Sequence, residues 1–132
     1  MTDAVLVAVI AIALAFDFTN GFHDTANAVA TTVSTRALPP RIAVLIASLA
    51  NFAGAFVSTA VASFIWKDLL SPTVDITGRL LIAALLGAIA WNLATWYLGL
   101  PSSSSHALIG GLVGSGLAAA GSSAIQWHGL WD

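Results

Sequence analysis

An all-α integral membrane fold is predicted by three features of the sequence. The 132-residue chain is 58% hydrophobic and 8% charged. Its mean hydropathy of +0.93 is well above that of a soluble domain of this size. Its apolar residues fall into four runs, at about 4–35, 42–66, 80–100 and 105–120, on the scale of the ~20 residues that cross a bilayer. The chain therefore reads as a single transmembrane domain in contact with lipid. The absence of cysteine removes disulfides and thiolate metal sites from consideration. Four basic residues and a net charge of −2 cannot neutralise a phosphate backbone, so no nucleic-acid partner is expected.

The first run opens with "MTDAVL", which offers an acid where a cleaved signal peptide carries a basic segment. It is expected to stay as a helix. From Ala4 to Thr35 it holds 32 residues, which would extend ~48 Å as one α-helix against a ~30 Å hydrocarbon core. Polar residues crowd its middle, in "DFTNGFHDTAN". A break near residues 17–24, at membrane depth, would account for both the length and the polarity.

The second run, 42–66, is set off from the first by "LPPR" at 38–41. Arg36 and Arg41 flank that connection while the N-terminus has no basic residue. The positive-inside bias then places 36–41 in the cytoplasm and the N-terminus outside a multi-pass protein of the cell membrane. Trp66 suits the outer interface, and Arg79 on that side is a weaker opposing signal.

The third run, 80–100, is stopped by Pro101. In "GLPSSSSHALIGG" the serines can cap the free N–H groups of a helix starting near Ser104 or Ser105. An ordinary surface turn and a re-entrant hairpin with its serine tip inside the protein both fit. Irregular backbone at membrane depth requires a cavity or burial in protein. In the fourth run, Gly110 and Gly114, with Gly111 and Gly116 nearby, suggest close helix packing.

Asp24, Asn27 and Thr31 recur at i, i+3 and i+7, so they share one helical face. Asp17 and Asn20 join that stripe if helical phase survives Gly21. A carboxylate at the bilayer centre opposes insertion by ~2.5–3.5 kcal/mol, and Asn, Ser or Thr would serve as well for gluing helices. Asp24, and secondarily Asp17, are therefore candidate functional groups. A helix N-terminus presents free N–H groups and partial positive charge. The serine tip, and a second terminus near Gly21–Phe22 if the first helix is broken, would suit a tetrahedral oxyanion. A cytoplasm-negative potential opposes anion entry by ~2.3 kcal/mol per charge per 100 mV. A cation or proton must then travel with the anion, and Asp24, Asn27 and Thr31 offer it a place.

The stretches "NGFHDTANAVAT" and "WYLGLPSSSSHALIGG" resemble the two signatures in the first half of inorganic phosphate transporters of the Pit family. The resemblance covers nearly the whole chain. It implies phosphate symport with a cation, through two inverted-topology repeats with the site between them. Asn20, Asp24 and Asn27, with Thr31, match the first signature, Ser102, Ser103, Ser104 and Ser105 match the serine tip, and His106 follows it. Animal sodium-coupled members have Asn before the Asp and a glutamate in the second span. Here His23 and Asn51 stand there, and the chain contains no Glu. That resembles the bacterial low-affinity branch, which implies proton or metal–phosphate coupling. A sulfate permease branch has similar motifs. No second copy of either motif occurs within the 132 residues, so the chain reads as one repeat, needing a second repeat or a homo-oligomer. A non-transporting membrane subunit is the alternative.

Other signals are weaker. His23 beside Asp24 lacks a third ligand in register for zinc, so no metal site is expected. His106 after the serines lacks a glycine-framed elbow and an oriented acid, so no enzyme is expected. No cofactor motif occurs. His128 lies between Trp127 and Trp131 and reads as interfacial.

Overall fold

The computed structural model describes residues 2–56, 69–72 and 74–127. Among the described residues there are four α-helices: α1 Asp3–Ser34, α2 Pro40–Ala55, α3 Gly78–Tyr97 and α4 Ser104–Ala120. A 3₁₀ turn, Gly121–Ala124, follows α4, and no strand forms among the described residues. Three segments, Asp3–Ser34, Gly78–Tyr97 and Ser104–Ala124, are long and apolar enough to cross a membrane. Large apolar side chains point away from the bundle, with Phe18 74% and Phe52 68% exposed. That is the pattern of helices whose outer faces meet lipid, and the protein is an integral membrane protein.

α1 runs for 32 residues without interruption. The break expected near 17–24 does not occur, and with it goes the second helix N-terminus near Gly21–Phe22. Gly21 costs a helix only ~1 kcal/mol relative to Ala, and Thr19 and His23 on either side of it find partners without opening the backbone. Thr19 Oγ1 donates to the Phe16 carbonyl at 2.8 Å, and His23 is held laterally by α3. Helical phase therefore survives Gly21, so Asp17, Asn20, Asp24, Asn27 and Thr31 form one continuous stripe.

α1 ends with paired bonds from Arg36 N to Val33 O and from Ala37 N to Thr32 O, both 3.1 Å. This is a Schellman closure with Arg36 at φ 57°, a left-handed position usually given to Gly. Pro40 then opens α2 at its first turn, where a missing N–H is harmless. α2 packs along α1. The remainder of the second run, including Trp66, lies outside the described residues, as does His128.

α3 is capped by Thr77, whose Oγ1 accepts from Leu80 N at 3.3 Å. It closes with Leu100 N to Thr95 O (2.8 Å) and Gly99 N to Trp96 O (3.1 Å), with Gly99 at φ 66°. α3 and α4 form the main antiparallel pair. Gly111 makes their close approach, since a Cβ there would run into the Ala84 carbonyl. Gly116 is also tight, with a Cβ meeting Ile125 at 3.1 Å, whereas Gly110 and Gly114 have nothing within 4 Å. The close contact thus uses Gly111 and Gly116, and the Gly110–Gly114 face is open.

One core cluster, of Leu69, Leu70, Leu80, Ala84, Leu112 and neighbours, lies at the end of the α3–α4 pair away from the serines. An antiparallel bridge between Leu70 and Ile125 closes that end. A second cluster of Phe16, Ala88 and Ala107 joins α1 to the pair. α1 and α3 run parallel, because Phe16 packs at Ala88 and His23 meets Thr95 seven residues further along both helices.

Candidate functional site: the serine tip against the acidic helix

The turn 98–103 brings the start of α4 against the middle of α1. Ser103 is the N-cap, and its hydroxyl accepts from His106 N at 3.3 Å. That cap leaves the N–H groups of Ser104 and Ser105 ahead of the helical ladder. Ser104 is 2% exposed, and its hydroxyl donates to Asp24 Oδ1 at 3.4 Å. The other carboxylate contact is His23 Nδ1, 3.3 Å from the same oxygen. His23 is 4% exposed, and its Nε2 lies 3.4 Å from Thr95 Oγ1. Thr95 Oγ1 in turn lies 3.1 Å from Ser102 Oγ. A polar chain thus runs Ser102–Thr95–His23–Asp24–Ser104, closing on the serine tip at both ends.

One helical turn earlier lie two more polar groups. Asn20 and Asn92 precede His23 and Thr95 by three residues each, so the parallel register sets them level. Asn92 is fully buried. Neither its Nδ2 nor its Oδ1 has a partner among the described residues, and the same holds for Asn20 Oδ1. Buried amides without partners are rare enough in native proteins to mark a functional or hydrated place.

The rest of the stripe is dispersed. Asn27 and Thr31 are exposed. From the His23–Thr95 register, α3 ends about level with Thr25, so both residues stand past its end. Asp17 is exposed too and makes no contact with the serine tip. Ser105 and His106 are exposed. His106, with Ser102 and Ser103, borders an open groove of about 900 Å³ that continues along Gly87, Gly110 and Gly114. The structure therefore gathers Asp24, Ser102 and Ser104 and leaves Asp17, Asn27, Thr31 and Ser105 outside the network.

Three residues of the seam, His23, Asn92 and Thr95, are absent from the sequence-derived set of site residues. Asn92 and Thr95 sit at i, i+3 in an otherwise apolar run, the same spacing that singled out Asp24 and Asn27. That spacing was the available signal. Among the described residues no group of three His, Cys, Asp or Glu side chains could hold a metal ion.

Apolar outer faces and a buried polar seam define an integral membrane protein that turns its polar chemistry inward, between helices. The chain belongs to the phosphate transporter family, whose model matches residues 20–132. It is 56% identical, over all of its length, to the "probable low-affinity inorganic phosphate transporter" of Streptomyces halstedii, covering 62% of that protein. The Bacillus subtilis protein of the same description is 55% identical over 94% of this chain, which covers 38% of it. The low-affinity inorganic phosphate transporter PitA of Escherichia coli is 44% identical over 88% of this chain, which covers 24% of it. Among solved structures, a sodium-dependent phosphate transporter matches with a TM-score of 0.87 at 30% identity. That match covers 97% of this chain and 33% of the other. The chain thus spans between about a quarter and three-fifths of the curated relatives. The family resemblance carried by the two sequence motifs is borne out.

Proposed function

We propose that this chain forms one wall of an inorganic phosphate transporter in the cell membrane, its N-terminus outside, which moves phosphate together with a proton. The observation that carries this reading is the Ser104–Asp24 contact, which joins the anion-suited tip to the acidic stripe. In this reading Ser102 to Ser105, with Asn20 and His106, bind the anion through hydroxyls, an amide, an imidazole and the free N–H groups of α4. Asp24 holds the coupling proton. Asn27, Thr31 and Asp17 line the polar path on α1 toward and away from it.

We read the turn as a re-entrant tip. Asp24 lies ten residues before the end of α1, a depth of ~15 Å along the helix, and the tip stops at its level. The opposing wall of the path comes from a second repeat or a second copy, which would cover the Gly110–Gly114 groove and the exposed part of the stripe.

The test is a chimaera of Escherichia coli PitA in which this chain replaces the matching segment, assayed for phosphate uptake in cells without other phosphate carriers. Cysteines placed singly at 102–105 should be protected from small thiol reagents by phosphate, and sulfate should protect far less. Lack of protection would make the tip a surface turn. Uptake that follows sodium rather than pH would move the coupling from proton to sodium.

A further inference from the structure

We propose that the His23–Asp24 contact is a proton-binding site, with Thr95 fixing which ring nitrogen takes the proton. Its use in transport rests on the phosphate reading above, whereas its existence follows from hydrogen-bond counting alone. Thr95 Oγ1 has four polar neighbours: Trp91 O at 2.9 Å, Asn92 O at 3.1 Å, Ser102 Oγ at 3.1 Å and His23 Nε2 at 3.4 Å. A hydroxyl offers one proton and two lone pairs. The two carbonyls can only accept, one of them is the nearest neighbour, and a helical Thr ordinarily bonds back to the i−3 or i−4 carbonyl. The proton is therefore committed to the backbone. Toward His23 and Ser102, Thr95 Oγ1 can only accept, so Nε2 is the N–H nitrogen of His23.

A neutral imidazole carries one N–H. With it at Nε2, His23 Nδ1 presents a lone pair to Asp24 Oδ1 at 3.3 Å. Two acceptors do not bond, so the contact requires one further proton between them. With that proton the pair is imidazolium–carboxylate or imidazole–carboxylic acid, and its net charge is zero in either form. Without it the net charge is −1 and the contact becomes repulsive. The His23 side chain is 4% exposed, whereas that of Asp24 is 47% exposed.

Among the described residues, the other ionisable groups stand apart. On α1, Asp17 is a further seven residues away and exposed. On α3, Arg79 is sixteen residues before Thr95, and Tyr97 points outward at 84% exposure. On α4, His106 borders the groove, and on α2 the charged residue is Arg41, at its opening turn. Ser104 donates to the same Asp24 oxygen. A phosphate at the tip therefore lies beside a neutral pair when the proton is bound and beside a negative charge when it is lost. Proton and anion then strengthen each other's binding reciprocally, on the 5- to 150-fold scale usual for coupled sites.

The decisive measurement is ¹⁵N NMR of the histidine-labelled 132-residue chain in lipid nanodiscs, with the His23 signals assigned by their loss in a His23→Gln sample. As the pH is raised through the range in which histidine changes charge, His23 should pass from a form with Nε2–H and a proton-bearing or proton-sharing Nδ1 to a plain Nε2–H tautomer. Inorganic phosphate should move that passage to higher pH. A neutral Nδ1–H tautomer throughout the range would overturn the proposal, because Asp24 would then accept from His23 with no added proton. A passage that phosphate leaves unmoved supports the proton site and counts against phosphate binding at the tip of this wall alone. In the chimaera, His23→Gln should flatten the pH profile of uptake while phosphate still protects a cysteine at 103. An unchanged profile with intact uptake would overturn the proposal as well.

Discussion

Ser104 and Asp24, eighty residues apart in sequence, meet through a hydroxyl–carboxylate hydrogen bond of 3.4 Å. The bond fixes the start of α4 to the middle of α1, and it places the first-turn N–H groups of α4 beside the acid most deeply involved in the seam. In the chimaera, Asp24→Asn should abolish phosphate uptake while membrane insertion is kept or improved, since a carboxylate in the bilayer opposes insertion. Asp17→Asn should cause a milder loss, because Asp17 is exposed and outside the network. Uptake near the unsubstituted level in the Asp24 variant would remove that residue from the site.

Gly111→Ala should destabilise the α3–α4 pair by about 1–3 kcal/mol, the usual cost of overpacking. The added methyl group meets the rigid Ala84 backbone. Gly110→Ala and Gly114→Ala should leave the isolated chain within ~0.5 kcal/mol of the original, since a Cβ at either has nothing within 4 Å. Denaturant unfolding in detergent micelles checks all three, and equal effects would contradict the packing.

Asn92→Leu should raise the stability of the isolated chain by about 1–3 kcal/mol, because it removes a buried amide that lacks partners. The same change should weaken phosphate uptake in the chimaera if Asn92 serves a hydrated ligand. The paired measurements are unfolding and uptake. Loss of stability would show that the amide has partners in the folded membrane protein.

Alone in liposomes, the 132 residues should show no phosphate flux above protein-free vesicles. Asn27 and Thr31 are exposed and the groove beside His106 is open, so the path has one wall. An antiparallel second copy would need both membrane orientations, and Arg36 and Arg41 bias the chain to one. Saturable, gradient-driven uptake by the single chain would instead favour a dual-topology dimer.

Hydropathy and length made the helices legible, because lipid exposure demands long apolar faces, and α1, α3 and α4 with its 3₁₀ turn meet that demand, while α2 is described over 16 residues. The continuity of α1 was not legible. Gly21 and a dense polar run look like a break, and only the partners on α3 and α4 show that the backbone can stay intact. Asp24 and the serine tip stood out because charge and repeated serine are conspicuous in an apolar chain. Thr95 and Asn92 did not, since single polar residues in a transmembrane run are unremarkable until burial is known. Of the glycines, spacing pointed to the right helix, but which face meets α3 depends on the crossing with Ala84.

The unbroken α1 also decides where movement can occur. A stiff rod carries Asp24 and both of its ends as one body, so nothing done at the cytoplasmic or outer end can re-aim that carboxylate by itself. The serines instead stand at and just beyond the link 98–103, the stretch between the end of α3 and the start of α4, whose direction is set by Gly99 in its left-handed turn. The acid thus rides on a rod and the serines on a corner, and their spacing is set by how the corner is cut rather than by any bend in the rod.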